Sequence, residues 1–311
     1  MLAAKKVVWA ELAGIGSAAA AKVWITALYN NLVACGLIQT ADGGQLDPST
    51  IASVPASGGY FGYWVFRFND SMQSNKPVFI KFAPFIGSHG GANSGGVAVT
   101  VGTGTDGSGN ITGASTGEMN YFNSTAGAQR VEATVSTPSY AIHGEGHFTL
   151  CAHANVRKND YNTFCMSFLS ITRTLDAQGK PTADGLIVRR PWTSYDNNSV
   201  IAPKNLICHK ALLGVSVGNW NSLLTPWIGG QAAASAGGNT QIQRTYYLDP
   251  TIKPDQALVL YWNAAVTTGD EFEVAVDGIP RKYIALGNNI TLVSDTSNAR
   301  NVGFGILWDD L

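Results

Sequence analysis

The string His143-Gly-Glu145-Gly-His147 has the most chemically suggestive spacing in the chain. On a β-strand alternate residues share a face, so two imidazoles and a carboxylate could converge there. Such a set is familiar as metal ligands, and His153 follows closely. The intervening glycines suit a turn equally well, and no second His or carboxylate motif completes a coordination sphere. The string therefore reads first as a polar loop or strand edge. His143, Glu145 and His147 stand as secondary metal candidates, and no cofactor is expected.

Other reactive patterns lack their context. Gly102-x-Gly104-x-x-Gly107 follows a strand-like run and formally matches a dinucleotide fingerprint. That chemistry needs a helix N-terminus directly after the glycines to hold a pyrophosphate. Ser108-Gly-Asn-Ile-Thr-Gly113 follows instead, which is turn and strand material. There is no GxSxG nucleophile elbow. Glu271 and Glu273 make a glycosidase-like pair on paper, but neighbouring same-face strand carboxylates are more often surface groups. Asn110-Ile-Thr112 and Asn123-Ser-Thr125 fit the glycosylation pattern as expected in an Asn/Thr-rich chain. The chain reads as a non-enzyme.

These residues must be positioned by a β-rich framework. The chain has 311 residues and 45% hydrophobic content, enough for a sizeable core. Its charged fraction is 13%, against a usual level of about 25%. Depleted charge fits a β-rich protein whose surface is largely covered by partners. The net charge of −1 lacks the basic excess of a nucleic-acid binder, so no nucleic acid is expected. Cys35, Cys151, Cys165 and Cys208 match no zinc or CxxC spacing and read as buried thiols. Glu11 and Lys22 interrupt the apolar N-terminus, which reads as mature chain without a leader and without membrane insertion.

Ser17–Cys35 is predicted as a helix, with Ser17 as N-cap and Gly36 just past its end. Ala21, Trp24, Leu28 and Leu32 recur at helical spacing. The stripe fits packing within its own domain and docking of a neighbouring subunit equally. Under the second reading Trp24, Leu28, Leu32 and Trp308 are assembly-interface candidates. Strand-like runs follow at Tyr63–Phe68, Pro77–Phe82 and Val97–Gly102, then at Arg130–Val135, His147–Ala152, Tyr161–Thr172 and Gly185–Arg189. More recur at Asn205–Val217, Gln241–Leu248, Ala257–Trp262, Glu271–Val276, Lys282–Leu286 and Val302–Trp308. Asp106–Gly107 and Gly109–Asn110 mark a tight hairpin. The expected fold is mainly β: antiparallel β-sandwich or jelly-roll-like modules with an N-terminal α-helix. The expected division is a helical segment 1–38, a first β module 39–136 with the glycine-rich hairpin, and a second β module 137–311.

Tyr63–Lys81 (YWVFRFNDSMQSNKPVFIK), Val99–Gly113 (VTVGTGTDGSGNITG) and Trp24–Thr40 (WITALYNNLVACGLIQT) together resemble proteins of the structural-gene modules of tailed bacteriophages. The order of helix, Gly/Asp linker, aromatic strand and glycine-rich hairpin is similar too. The resemblance covers mainly the first 115 residues. It implies a virion component of the tail, baseplate or neck, made in the host cytoplasm. Expected partners are copies of itself, as a trimer or hexamer, and other virion proteins. A receptor- or glycan-binding virion protein that contacts the host surface is the alternative, and a polysaccharide or peptidoglycan hydrolase ranks third.

Overall fold

β-branched and aromatic residues recur through the strand segments, and the fold is mainly β with an N-terminal helix. The computed structural model describes residues 5–10, 17–56, 58–86, 95–121, 130–131, 138–158, 161–176, 178, 180–191, 206–210, 220–221, 223–224, 241–247, 255–262, 269–276, 278–290 and 302–309. In chain order, β1 (Lys5–Ala10) precedes helix α1 (Ala18–Ala34). The front sheet comprises β2 (Ile38–Gln39), β3 (Trp64–Arg67), β4 (Phe79–Ile86), β5 (Gly95–Thr105), β6 (Ile111–Ser115) and β7 (Met119–Tyr121). It runs β2-β3-β4-β5-β6, with β7 also pairing β5.

The central sheet comprises β8 (Arg130–Val131), β9 (Pro138–Gly144), β10 (His147–Lys158), β11 (Tyr161–Leu175), β12 (Pro181–Pro191), β13 (Leu206–Lys210) and β14 (Trp220–Asn221). These follow one another antiparallel from β9 to β14, β1 extends the β9 edge, and β8 pairs β10. The back sheet comprises β15 (Leu223–Leu224), β16 (Gln241–Tyr247), β17 (Asp255–Trp262), β18 (Glu271–Val276), β19 (Ile279–Ile290) and β20 (Val302–Leu307). Its order is β15-β16-β17-β20-β19-β18.

Helix α1 forms where its caps predict. The Ser17 hydroxyl accepts from the Ala20 amide at 3.2 Å, and Gly36 follows the C-terminal turn at φ 106°. Ala21, Ile25, Leu28 and Leu32 are buried along one stripe. They meet Trp64, Phe66, Ile80, Phe82, Val97, Val99 and Val101 from one face of the front sheet. The central sheet supplies Ala141, Phe148, Leu150, Leu169, Ile171 and Leu186 to the same cluster. One apolar core thus takes residues from all three segments that the sequence divides at 38/39 and 136/137. Segment 1–38 also contains the strand β1, which the sequence reading missed.

Strand β4 carries Pro84 between two neighbours. Its carbonyl accepts from Phe61, so the missing N–H faces the β3 side, beyond the first residue of that strand. No ladder bond is lost there. The central sheet is covered on both sides. Tyr140, His147, Thr149, Ser170 and Thr172 occupy its second face and are buried. That face meets the back sheet and the C-terminal segment: His147 reaches the Asp309 carbonyl at 2.7 Å.

Candidate functional site

The buried polar groups of the front half gather where β3 ends. Phe68 and Val78 bracket a loop whose first three residues, Asn69, Asp70 and Ser71, lie against the tip of the β9–β10 hairpin and the end of β11. The hairpin turns through Glu145 and Gly146, with Gly146 at φ 74°. A glycine accommodates that conformation at the second turn position without steric cost. The string His143–His147 is therefore a strand end, a two-residue turn and a strand start, and the trio does not share one strand face.

Each side chain of the trio has its own partner. His143 points toward the front sheet, with its ring 5.0 Å from that of Phe68. The Asn69 amide donates to its Nε2 at 3.0 Å. A bare Nε2 places the proton of the neutral ring on Nδ1, which donates to the His147 carbonyl at 2.8 Å. Glu145 accepts from the Ser71 amide at 3.1 Å and from the Ser71 hydroxyl. His147 turns to the opposite face. A carbonyl only accepts, so its Nε2 carries the proton donated to Asp309. Its Nδ1 is buried without a hydrogen-bond partner. Among the described residues no group of three or more His, Cys, Asp or Glu side chains is placed to hold a metal ion.

The middle contact of the loop is an ion pair. Arg173 Nε and Nη2 donate to the two Asp70 carboxylate oxygens at 2.6 and 3.0 Å, and both side chains are wholly buried. The fork geometry matches a planar guanidinium to a carboxylate. The Arg173 guanidinium also lies 5.7 Å from the centre of the Phe68 ring, and its backbone N–H donates to the Gly146 carbonyl. Nη1 is left without a partner. Consecutive residues Asn69, Asp70 and Ser71 thus bind a histidine, an arginine and a glutamate of the central sheet.

Electrostatics follow burial. Burial pushes the His143 imidazole below its ordinary range, outweighing the His147 carbonyl, Asp70 and Glu145, which favour the charged form. Burial lowers His147 further, to about 3, with His143 and Arg281 adding repulsion. Both rings are neutral near pH 7.

The glycine-rich hairpin forms a second polar cluster. Its turn, Asp106–Asn110, joins β5 to β6, so the fingerprint glycines lead into a strand. Burial opposes ionisation of Asp42, but hydrogen bonds from Thr105, Thr40 and the Gly109 amide outweigh it and lower its carboxyl. Asp106 is lowered by Asn110 first and by the Ser108 and Asn110 amides. Gly109 at φ 85° runs so close to Tyr63 that a Cβ would lie 2.1 Å from its ring.

The remaining candidates separate. Leu28 and Leu32 lie inside the chain's own core, and Trp24 packs half-buried against it. This stripe is therefore packed within the chain, and the large apolar side chains that α1 exposes are Val23 and Val33. Trp308 is half-buried, with Lys282 Nζ 5.5 Å from its ring centre. Glu271 and Glu273 are exposed on β18. Cys35 is a buried thiol that donates to the Leu32 carbonyl at 3.1 Å; the side chains of Cys151, Cys165 and Cys208, like Asn123, lie outside the described residues. Sequence reasoning missed Asp70 and Arg173. The available signal was the alternation Leu169, Ile171, Arg173, which puts a charge on an apolar face.

Comparison with protein-family models, curated proteins and solved structures finds no match for the chain. The fold and site define a layered, mainly antiparallel β protein with a polar seam between two of its sheets. No described helix is long and apolar enough to cross a membrane.

Proposed function

We propose that the chain is a non-catalytic structural component of a tailed-phage virion, in the tail, baseplate or neck. It works by assembly with copies of itself, as a trimer or hexamer, and with other virion proteins. One observation carries this reading: the polar residues at the seam join sheet to sheet. Asn69, Asp70 and Ser71 each engage a different side chain of the central sheet, so these groups act as fasteners of a framework. The low charge and the phage-like first third support the same conclusion. Light scattering on the purified chain tests it: a defined oligomer is expected, and a monomer that binds no virion protein contradicts it.

Tyr60 favours a second reading, a receptor- or glycan-binding virion protein. It is 49% exposed, leans on Phe85 at 6.0 Å and donates its hydroxyl to Glu118 at 2.7 Å. An exposed ring beside a carboxylate suits a sugar face and its hydroxyls. Glycan binding lost in Tyr60→Ala, with the oligomer unchanged, supports this second reading.

A further inference from the structure

We propose that His143 is an acid-sensitive latch: its neutral ring holds the 69–71 loop on the β9–β10 hairpin, and a second proton on that ring releases the loop. The inference stands independently of the assembly reading and rests on hydrogen-bond direction. The Asn69 N–H can only donate, so Nε2 must be bare, and Nδ1–H is already directed at the His147 carbonyl. Protonating Nε2 sets two N–H groups head to head at a 3.0 Å separation. The ring is wholly buried, so water cannot take up the new donor unless the loop moves.

The surroundings of the ring set the direction. From the loop, Asp70 acts on it; from the hairpin turn, Glu145; from β11, Arg173; and His147, whose own ring turns to the opposite face, offers it the backbone carbonyl. Lys5 of β1 stands across from His143 in backbone register. The two carboxylates favour a charged ring, but Asp70 is held by Arg173 and Glu145 by Ser71, and burial prevails. Of the two outer loop contacts, the one at His143 responds to acid, because the ring loses its acceptor atom on gaining a proton, while Ser71 stays bonded to Glu145. The Asp70–Arg173 pair between them keeps the loop tethered while the His143 contact opens, which makes this a local release.

The test compares amide hydrogen exchange at Asn69 and Ser71 in the full chain and in H143Q, at matched steps from about pH 7.5 to about pH 4, through the ordinary imidazole range and below it because burial lowers His143. A glutamine amide offers one acceptor and donors without titrating. Wild type is expected to lose about tenfold in protection at Asn69 relative to H143Q at the acid end, the scale of one hydrogen bond. E145Q is expected to follow wild type at Asn69. Equal loss in wild type and H143Q, or Asn69 protection retained in wild type throughout, overturns the proposal. Should H143Q fail to fold, imidazole nitrogen shifts of wild type decide: Nε2 must be unprotonated at neutral pH and gain its proton as Asn69 protection falls. A ring protonated at Nε2 at neutral pH overturns it equally.

Discussion

His143 and His147 sit four residues apart on one hairpin and hold opposite neutral tautomers. His143 carries its proton on Nδ1 and accepts at Nε2; His147 carries its proton on Nε2 and has a bare, buried Nδ1. The first faces the front sheet and the second the C-terminal segment. One hairpin tip thus links the central sheet to both its neighbours, and it does so through uncharged rings.

Stability is expected to fall as pH drops below the ordinary imidazole value. His147 titrates at about 3 in the folded chain and at 6.5 when unconstrained. Below about pH 6.5 the unfolded chain takes up a proton that the folded chain refuses, so the stability present above that pH is lost progressively toward about 3. The lowered His143 acts in the same direction. Denaturant titrations at stepped pH should show a shallower acid loss for His147→Gln, whose amide can still donate to Asp309. Equal slopes in the two proteins would contradict this assignment.

Breaking the buried ion pair is expected to be costly. Asp70→Ala leaves the Arg173 charge wholly buried without its carboxylate, an effect of about 3–5 kcal/mol. Asp70→Ala with Arg173→Met should cost less than the sum of the single changes, because no lone charge remains. Urea denaturation of the four proteins measures the coupling; strict additivity would show that the pair does not act as a unit.

Two glycines of one turn are expected to differ. Gly107 and Gly109 both have positive φ, but a Cβ at 107 meets open space while one at 109 collides with Tyr63. Gly107→Ala should cost about 1–2 kcal/mol, the left-handed penalty alone. Gly109→Ala should cost more and displace Tyr63 from the Gly43 and Ser108 carbonyls. Thermal melts and Tyr63 side-chain NMR check both; equal losses would remove the packing argument.

Helix α1 should separate folding from assembly. Leu32→Ala removes a fully buried side chain and is expected to cost about 2–5 kcal/mol. Val23→Asp and Val33→Asp lie on exposed positions and should shift stability by only about 0.5 kcal/mol. If the exposed side of α1 meets a neighbour, the aspartates lower the solution mass while the melting temperature holds. An unchanged mass places the subunit contact elsewhere.

Much of the local structure was legible in the sequence. The caps Ser17 and Gly36 bound α1 correctly, and Glu271–Val276 coincides with β18, because these features depend on near neighbours. The glycine-rich hairpin was legible for the same reason. Strand β1 was not: Lys5–Ala10 is extended by pairing with β9, more than a hundred residues away in the sequence. Alternation made His143, Glu145 and His147 look like one strand face, whereas Glu145–Gly146 forms the turn between strands. Asp70 and Arg173 are 103 positions apart, and nothing local couples them. The α1 stripe could be recognised as apolar, but what it packs on is decided by the sheets that follow.

The proposed assembly role is tested most directly by looking for this chain in the density map of a purified particle made by the genome that encodes it. The expected map holds symmetry-related copies of the three-sheet fold in the tail, baseplate or neck. A map with no density for the chain, together with a monomer in solution, would contradict a structural role in the virion.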